Sequence, residues 1–174
     1  AQWHESRGVA TVRLPQEGDF EGMGDALWHP GRRLLWGGYG YRTDLKTYDA
    51  ISSLMNTPVA VLELVDPSFY HLDTCFCLLN ETSVMIYPQA FTAEGRNLIH
   101  SIFEQVIEVG LDDALERFAL NAFCPNGSDV FLQAGSVETN AYLQKAGFVI
   151  HELETSEFMK SGGSVFCMKL QTWA

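Results

Sequence analysis

Four segments of this chain carry side chains that can do chemistry. Cys167 ends the run Ser161-Gly162-Gly163-Ser164-Val165-Phe166-Cys167. Two glycines ahead of a short apolar run let backbone approach closely and present a side chain at a strand entrance. A thiol there is either a nucleophile, if a cation or histidine stabilises its thiolate, or a small buried hydrophobe. His71 precedes Asp73 by two residues, so on a strand both would point the same way. Such a pair serves as proton shuttle and cation anchor, or is a core histidine beside a surface carboxylate. Glu21-Gly22-Met23-Gly24-Asp25 is an acidic loop spaced by glycines, which either turns a carboxylate inward or forms an ordinary turn. Arg42 follows Gly37-Gly38-Tyr39-Gly40-Tyr41. There it is a fixed guanidinium fork for a carboxylate or a surface arginine. No Lys-Ser/Thr follows these glycines, so they do not form a phosphate-binding loop.

The elements that must position these residues can be read from pattern. Val9 to Leu14 reads as a strand, and Asp25 to Gly38 as a hairpin turning at His29-Pro30-Gly31-Arg32. Thr47 to Met55 reads as a helix ending before Pro58, and Val59 to Val65 as a buried strand. Leu72 to Leu79 and Ser83 to Tyr87 form a second hairpin around Asn80-Glu81. Phe91 to Gly110 is the longest predicted helix, with Leu98, Ile99, Ile102, Phe103, Val106 and Ile107 facing a core. Leu115 to Phe123 fits either a short helix or a strand. Asp129 to Gln133 is a strand, Ser136 caps a helix reaching Ala146, and Gly147 ends it. Phe148 to Leu153 and Ser164 to Leu170 are the last strands. The result is an α/β chain of hairpins interleaved with helices, without a repeat at the level of residues.

Composition narrows the function classes. The 174 residues suffice for one domain with a core, and 47% hydrophobic against 19% charged residues describe a globular protein. A net charge of −11 argues against nucleic-acid binding and is compatible with a cationic substrate. No apolar run reaches the roughly 18 residues of a membrane span, and no partner membrane is expected. Four cysteines do not make a disulfide scaffold, so reduced thiols in a cytoplasmic protein are expected. The five histidines are scattered and form no metal-ligand pattern. The chain opens on Ala1 rather than methionine, which suits a processed or excised N-terminus.

The four segments, taken in order, resemble the guanidine-modifying enzyme superfamily: arginine deiminase, dimethylarginine dimethylaminohydrolase, arginine dihydrolase and the amidinotransferases. The similarity runs from about Phe20 to Leu170. The spacings, 50 residues from Glu21 to His71 and 96 from His71 to Cys167, look most like the dihydrolase and dimethylaminohydrolase branch.

The resemblance implies a pentein fold, an α/β propeller of five ββαβ modules. It also implies that residues 1–174 form a single domain, the C-terminal portion of a pentein-type catalytic domain holding about three of the five modules. It makes Cys167 the nucleophile that attacks a guanidinium carbon and forms a thiouronium-type intermediate. His71 becomes the acid and base, and Glu21 orients it or contacts guanidinium nitrogens. Asp73 is expected to bind the guanidinium and Arg42 the substrate carboxylate, with Asp25 also in the binding motif. No metal or organic cofactor is implied, and the partner is a small cationic guanidino substrate such as arginine or a methylated arginine. Relatives carry a further carboxylate ahead of the glutamate loop, on a segment this sequence does not contain. A partial propeller is expected to self-associate or to join the missing N-terminal modules. The alternatives are an amidinotransferase, or a truncated, non-catalytic family member acting as a binding or assembly subunit.

Overall fold

The computed structural model describes residues 2–14 and 18–170. A short helix α1 (Gln2–Glu5) precedes the first sheet. The expected strand from Val9 to Leu14 is instead irregular. A strand needs a ladder partner, and among the described residues this segment pairs with no sheet edge.

The rest of the chain repeats one unit. In the first, β1 (Ala26–Trp28) runs antiparallel to β2 (Leu35–Tyr39), and α2 (Thr47–Met55) crosses over to β3 (Val59–Glu63), which lies parallel to β2. In the second, β4 (Phe76–Leu78) is antiparallel to β5 (Ser83–Ile86), and α3 (Ala93–Ile102) leads to the parallel β6 (Gln105–Glu108). In the third, Phe123 makes an antiparallel bridge to Phe131 within β7 (Asp129–Gln133), and α4 (Val137–Lys145) leads to the parallel β8 (Val149–Leu153). The order ββαβ therefore occurs three times, as expected of a partial pentein propeller.

Local chemistry sets the helix limits. Asn56 closes α2 in the left-handed region at φ 46°, which an asparagine tolerates, and Pro58 follows. Thr92 caps α3 by accepting from the Gly95 amide at 3.1 Å.

The helix expected to run from Phe91 to Gly110 stops at Ile102. Phe103 adopts an extended backbone and buries its ring against Trp36 (5.4 Å), His29 (5.1 Å) and Phe76 (6.1 Å). That contact between units outweighs continued helix. Val106 and Ile107 then pair with Val84 and Met85 in a sheet. Leu115 to Phe123 is neither simple helix nor strand. A π-helical turn at Asp112–Glu116 gives way to turns and the Phe123 bridge.

A tight turn precedes each unit's first strand. The Asp25 amide donates to Gly22 O (3.1 Å), Cys75 to Leu72 O (3.1 Å) and Asn121 to Phe118 O (3.0 Å). In the first two units the turn is a 3-10 helix, Gly22–Gly24 and Leu72–Thr74. His71 and Asp73 thus sit on a turn rather than on the expected strand, and the two-residue alternation does not govern them. A continuous apolar core runs through the units, with Trp36, Leu62, Leu72, Phe76, Met85 and Leu132 among its buried members.

Candidate active site

The turns preceding the first strands converge. Glu21 leads into the first turn and His71 into the second, and they meet with His71 Nε2 2.5 Å from Glu21 Oε2. Arg42 Nη1 donates to the other Glu21 oxygen at 3.3 Å, and its guanidinium lies 5.5 Å from the centre of the Tyr70 ring. The His71 hydrogen bond, ahead of the Arg42 charge, holds the Glu21 carboxyl below its usual range. Gly24 makes this meeting possible, because a β-carbon there would lie 3.0 Å from His71 Nδ1.

Asp25 is buried, and the protein engages both its oxygens. Oδ1 accepts from the Leu72 amide at 2.9 Å and Oδ2 from the Thr43 hydroxyl at 2.7 Å. Asp25 was expected among the substrate-binding residues. Its carboxylate ties the first turn to the second and to the loop after β2 at Thr43. Gly38 leaves room for this, since a β-carbon there would approach Leu72 Cβ at 2.7 Å and Asp25 Oδ1 at 3.0 Å. Thr43 also accepts from the Glu21 amide at 3.2 Å, which fixes the glutamate's backbone.

Cys167 does not lie on a strand. The segment from Ser164 folds as a turn, with the Met168 amide donating to Ser164 O at 3.1 Å. The cause is Asn121, whose Oδ1 accepts from both the Ser164 amide (2.9 Å) and the Cys167 amide (3.2 Å) and so curls the backbone around itself. Gly162, at φ +82°, passes so close to Tyr70 that a β-carbon would lie 2.6 Å from its hydroxyl; that hydroxyl donates to the Gly162 carbonyl. The glycine pair thus docks the thiol-bearing turn against the residue next to His71.

The Cys167 residue is solvent-accessible, while its sulfur faces Asp73 Oδ2 at 3.3 Å. Desolvation, and then the Asp73 charge, push the thiol up to about 11. Asp73 is itself buried, which raises its carboxyl to about 6. Its Oδ1 is buried and accepts no hydrogen bond among the described residues. A buried carboxylate oxygen without a donor is costly unless a ligand supplies one.

Glu21, Arg42, His71, Asp73 and Cys167 therefore share one corner, joined through the Tyr70–Asp73 segment. The sequence offered no motif for Asn121 or Tyr70. The only available signal was an amide between Leu120 and Ala122, since a buried asparagine in apolar surroundings must find partners. A cavity of about 580 Å3 lies between the units, with Met23, Phe166 and Lys169 in its lining. Glu21, His71, Asp73 and Cys167 do not line it, so the site is an open corner rather than that cavity. Among the described residues no group of three or more His, Cys, Asp or Glu side chains could hold a metal ion, and no helix is long and apolar enough to cross a membrane.

No protein-family model matches the chain. The bifunctional arginine dihydrolase/ornithine cyclodeaminase ArgZ of Synechocystis is 39% identical over 171 residues, covering 97% of this chain and 24% of that protein. The N(G),N(G)-dimethylarginine dimethylaminohydrolase of Mycobacterium tuberculosis is also 39% identical over 171 residues, covering 98% of this chain and 55% of that enzyme. The solved N-terminal domain of ArgZ, covalently bound to a reaction intermediate, superposes with a TM-score of 0.89 at 39% identity. That match covers 95% of this chain and 61% of the solved one. The chain thus spans about a quarter of the first relative and about half of the second. Sequence and fold together make it a homologue of the arginine dihydrolases and dimethylarginine dimethylaminohydrolases of the guanidine-modifying superfamily.

Proposed function

We propose that this chain carries the catalytic corner of a cysteine-dependent hydrolase of a guanidino substrate, arginine or a methylated arginine. One observation carries the proposal. The Cys167 sulfur faces a buried carboxylate, Asp73, whose other oxygen has no donor among the described residues, beside a bonded Glu21–His71 pair. A guanidinium presents N–H donors in a plane, so one edge satisfies Asp73 Oδ1 and compensates its charge. The same cation favours transfer of the thiol proton to His71, offsetting the desolvation that keeps the thiol protonated.

The thiolate then attacks the guanidinium carbon, forming an S–C bond and a tetrahedral adduct. The C–N bond to the leaving group breaks as His71 gives that nitrogen a proton, leaving ammonia or an amine and an S-linked amidino group. His71, now neutral, takes a proton from water as the water oxygen attacks the same carbon. The S–C bond breaks, and the sulfur departs as thiolate. Glu21 holds the imidazole in line throughout and balances its positive form. Arg42 grips the substrate carboxylate after exchanging its exposed bond to Glu21.

The chain spans about half the length of the dimethylaminohydrolase it matches. The proposal therefore assigns the remaining wall of the site, including a further carboxylate, to the rest of the propeller. In this reading residues 1–174 are the C-terminal portion of one pentein domain, and association with those modules completes the site. Ammonia or amine release from arginine and dimethylarginine tests the function in the full protein. Cys167→Ser is expected to abolish release with the fold kept, and retained turnover would sink the proposal.

A further inference from the structure

We infer that Asn121 is a positioning residue that fixes the Cys167 thiol in place and stabilises its thiolate form. This rests on Cys167 being the nucleophile, although its test reads the thiol itself.

Asn121 is completely buried between Leu120 and Ala122. Its carboxamide has two acceptor lone pairs and two N–H donors, and all four are used. Oδ1 accepts from Ser164 N at 2.9 Å and Cys167 N at 3.2 Å. Nδ2 donates to the Asp73 backbone carbonyl at 3.1 Å and to Cys167 Sγ at 3.2 Å. Two backbone N–H groups face one end of the amide and a carbonyl faces the other, so the amide can be oriented only one way. Its own carbonyl accepts from the Phe166 amide at 2.9 Å. One side chain thus joins the turn that bears Asp73 to the turn that bears Cys167.

The first unit repeats half of this arrangement. Asp25 holds the position of Asn121 there, and its Oδ1 accepts from the first amide of the following turn, Leu72, as Asn121 Oδ1 does from Ser164. Asn121 differs in also having a donor, and that donor is aimed at the sulfur. Hydrogen bonds to an ionised acceptor are roughly twice as strong as those to a neutral one, so the Nδ2–Sγ bond gains when the thiol loses its proton. It works against the Asp73 charge, which favours the protonated thiol.

Alkylation of the full protein by iodoacetamide, followed against pH by peptide mass mapping, tests this. Asn121→Asp keeps the acceptor and removes the donor; Asn121→Ala removes the donor without adding charge. Both are expected to move the Cys167 inflection upward and slow its alkylation about tenfold at fixed pH below the inflection. The buried Cys75, Cys77 and Cys124 report the fold by staying unlabelled. A wild-type profile in both variants overturns the inference.

If the buried cysteines become labelled in both, the unmodified protein decides the matter. The Asn121 side-chain amide protons must shift in NMR spectra with the inflection seen for Cys167 alkylation, and their failure to shift overturns the inference. Turnover surviving in Cys167→Ser would defeat the hydrolase proposal alone, because alkylation does not depend on it.

Discussion

Glu21 and His71 occupy the same position in consecutive ββαβ units, each just ahead of the turn that enters the first strand, and they touch at 2.5 Å. Their separation of 50 residues is therefore one unit of the fold: β1 starts at Ala26 and β4 at Phe76. Repetition brings equivalent positions to the same central corner, where different side chains divide the work. Glu21→Gln keeps the shape and removes the charge that balances a protonated His71. Turnover is expected to fall by about 10- to 100-fold with little change in stability, as for loss of support to a general acid–base group. Gly24→Ala should move the imidazole by a few tenths of an ångström and cost about tenfold, because reacting groups tolerate little misplacement. Steady-state kinetics and a melting curve on each variant separate these effects from unfolding.

The glycine pair before Cys167 gives a graded test of how the thiol is held. At Gly163 a β-carbon would lie 2.9 Å from Cys167 Cβ and 3.3 Å from its sulfur. Gly163→Ala is therefore expected to displace the thiol and reduce turnover more than it reduces stability. At Gly162 an added β-carbon meets both a left-handed backbone and the Tyr70 hydroxyl. Gly162→Ala should cost roughly 1–2 kcal/mol from the backbone alone and detach the turn from Tyr70. Tyr70→Phe removes only the hydrogen bond to the Gly162 carbonyl and should fall between wild type and Gly162→Ala. Equal effects from all three changes would show that the turn is not docked through this contact.

The sequence made some of this visible. Glycines at 24, 162 and 163 marked where backbone must pass close to a side chain and Gly22 where it turns left-handed, and Glu21, Arg42, His71, Asp73 and Cys167 stood in a family order. The hairpins around Pro30-Gly31 and Asn80-Glu81 were legible because turn chemistry is local. The end of α3 was not, because Phe103 leaves the helix to stack on Trp36 and His29 from another unit. The turn at Cys167 was hidden for a similar reason: its apolar residues suit a strand, and the group that bends it is an amide 43 residues away from Ser164. Repetition of the fold was hidden too. It lies in topology and in turn hydrogen bonds, while the residues at equivalent places, such as Asp25, Cys75 and Asn121, differ in kind.

Asp73 should make the folded protein less stable as pH rises. Burial lifts its carboxyl to about 6, whereas in the unfolded chain it titrates near the ordinary 3.9. Between these values the folded state holds more protons than the unfolded state, so stability declines with pH until the penalty is complete above about 6. Asp73→Asn removes the titration. The variant is expected to exceed wild type by on the order of 2 kcal/mol at pH 7.5, with the gap closing toward pH 4.5, while turnover is lost. Urea midpoints at the two pH values check this, and a gap that widens toward acid would reverse the assignment.

His29 should act with the opposite sign at the far end of the first hairpin. It is buried and neutral, donating from Nε2 to the Glu81 carbonyl at 2.8 Å and accepting at Nδ1 from Trp36 Nε1 at 3.0 Å. Burial is the main cause that lowers its titration below the usual histidine value; the Arg32 charge adds to this, while the Glu81 carbonyl and carboxylate oppose it. Below about pH 6.5 the unfolded chain takes up a proton that the folded chain refuses. Stability present above that pH is therefore lost as the solution is acidified through the folded-state value. Protonation also destroys the acceptor used by the Trp36 indole, so the loss concerns the first hairpin itself, while the donation from Nε2 to Glu81 in the second unit is kept. His29→Gln offers an amide that can accept and donate but cannot titrate. Relative to wild type it should be less stable at pH 7.5, where the histidine packs well against Trp36 and Phe103, and should lose less on going to pH 5.5. Denaturation followed by tryptophan fluorescence at both pH values measures the difference, and an identical acid dependence in the two proteins would show that His29 does not couple the first hairpin to pH.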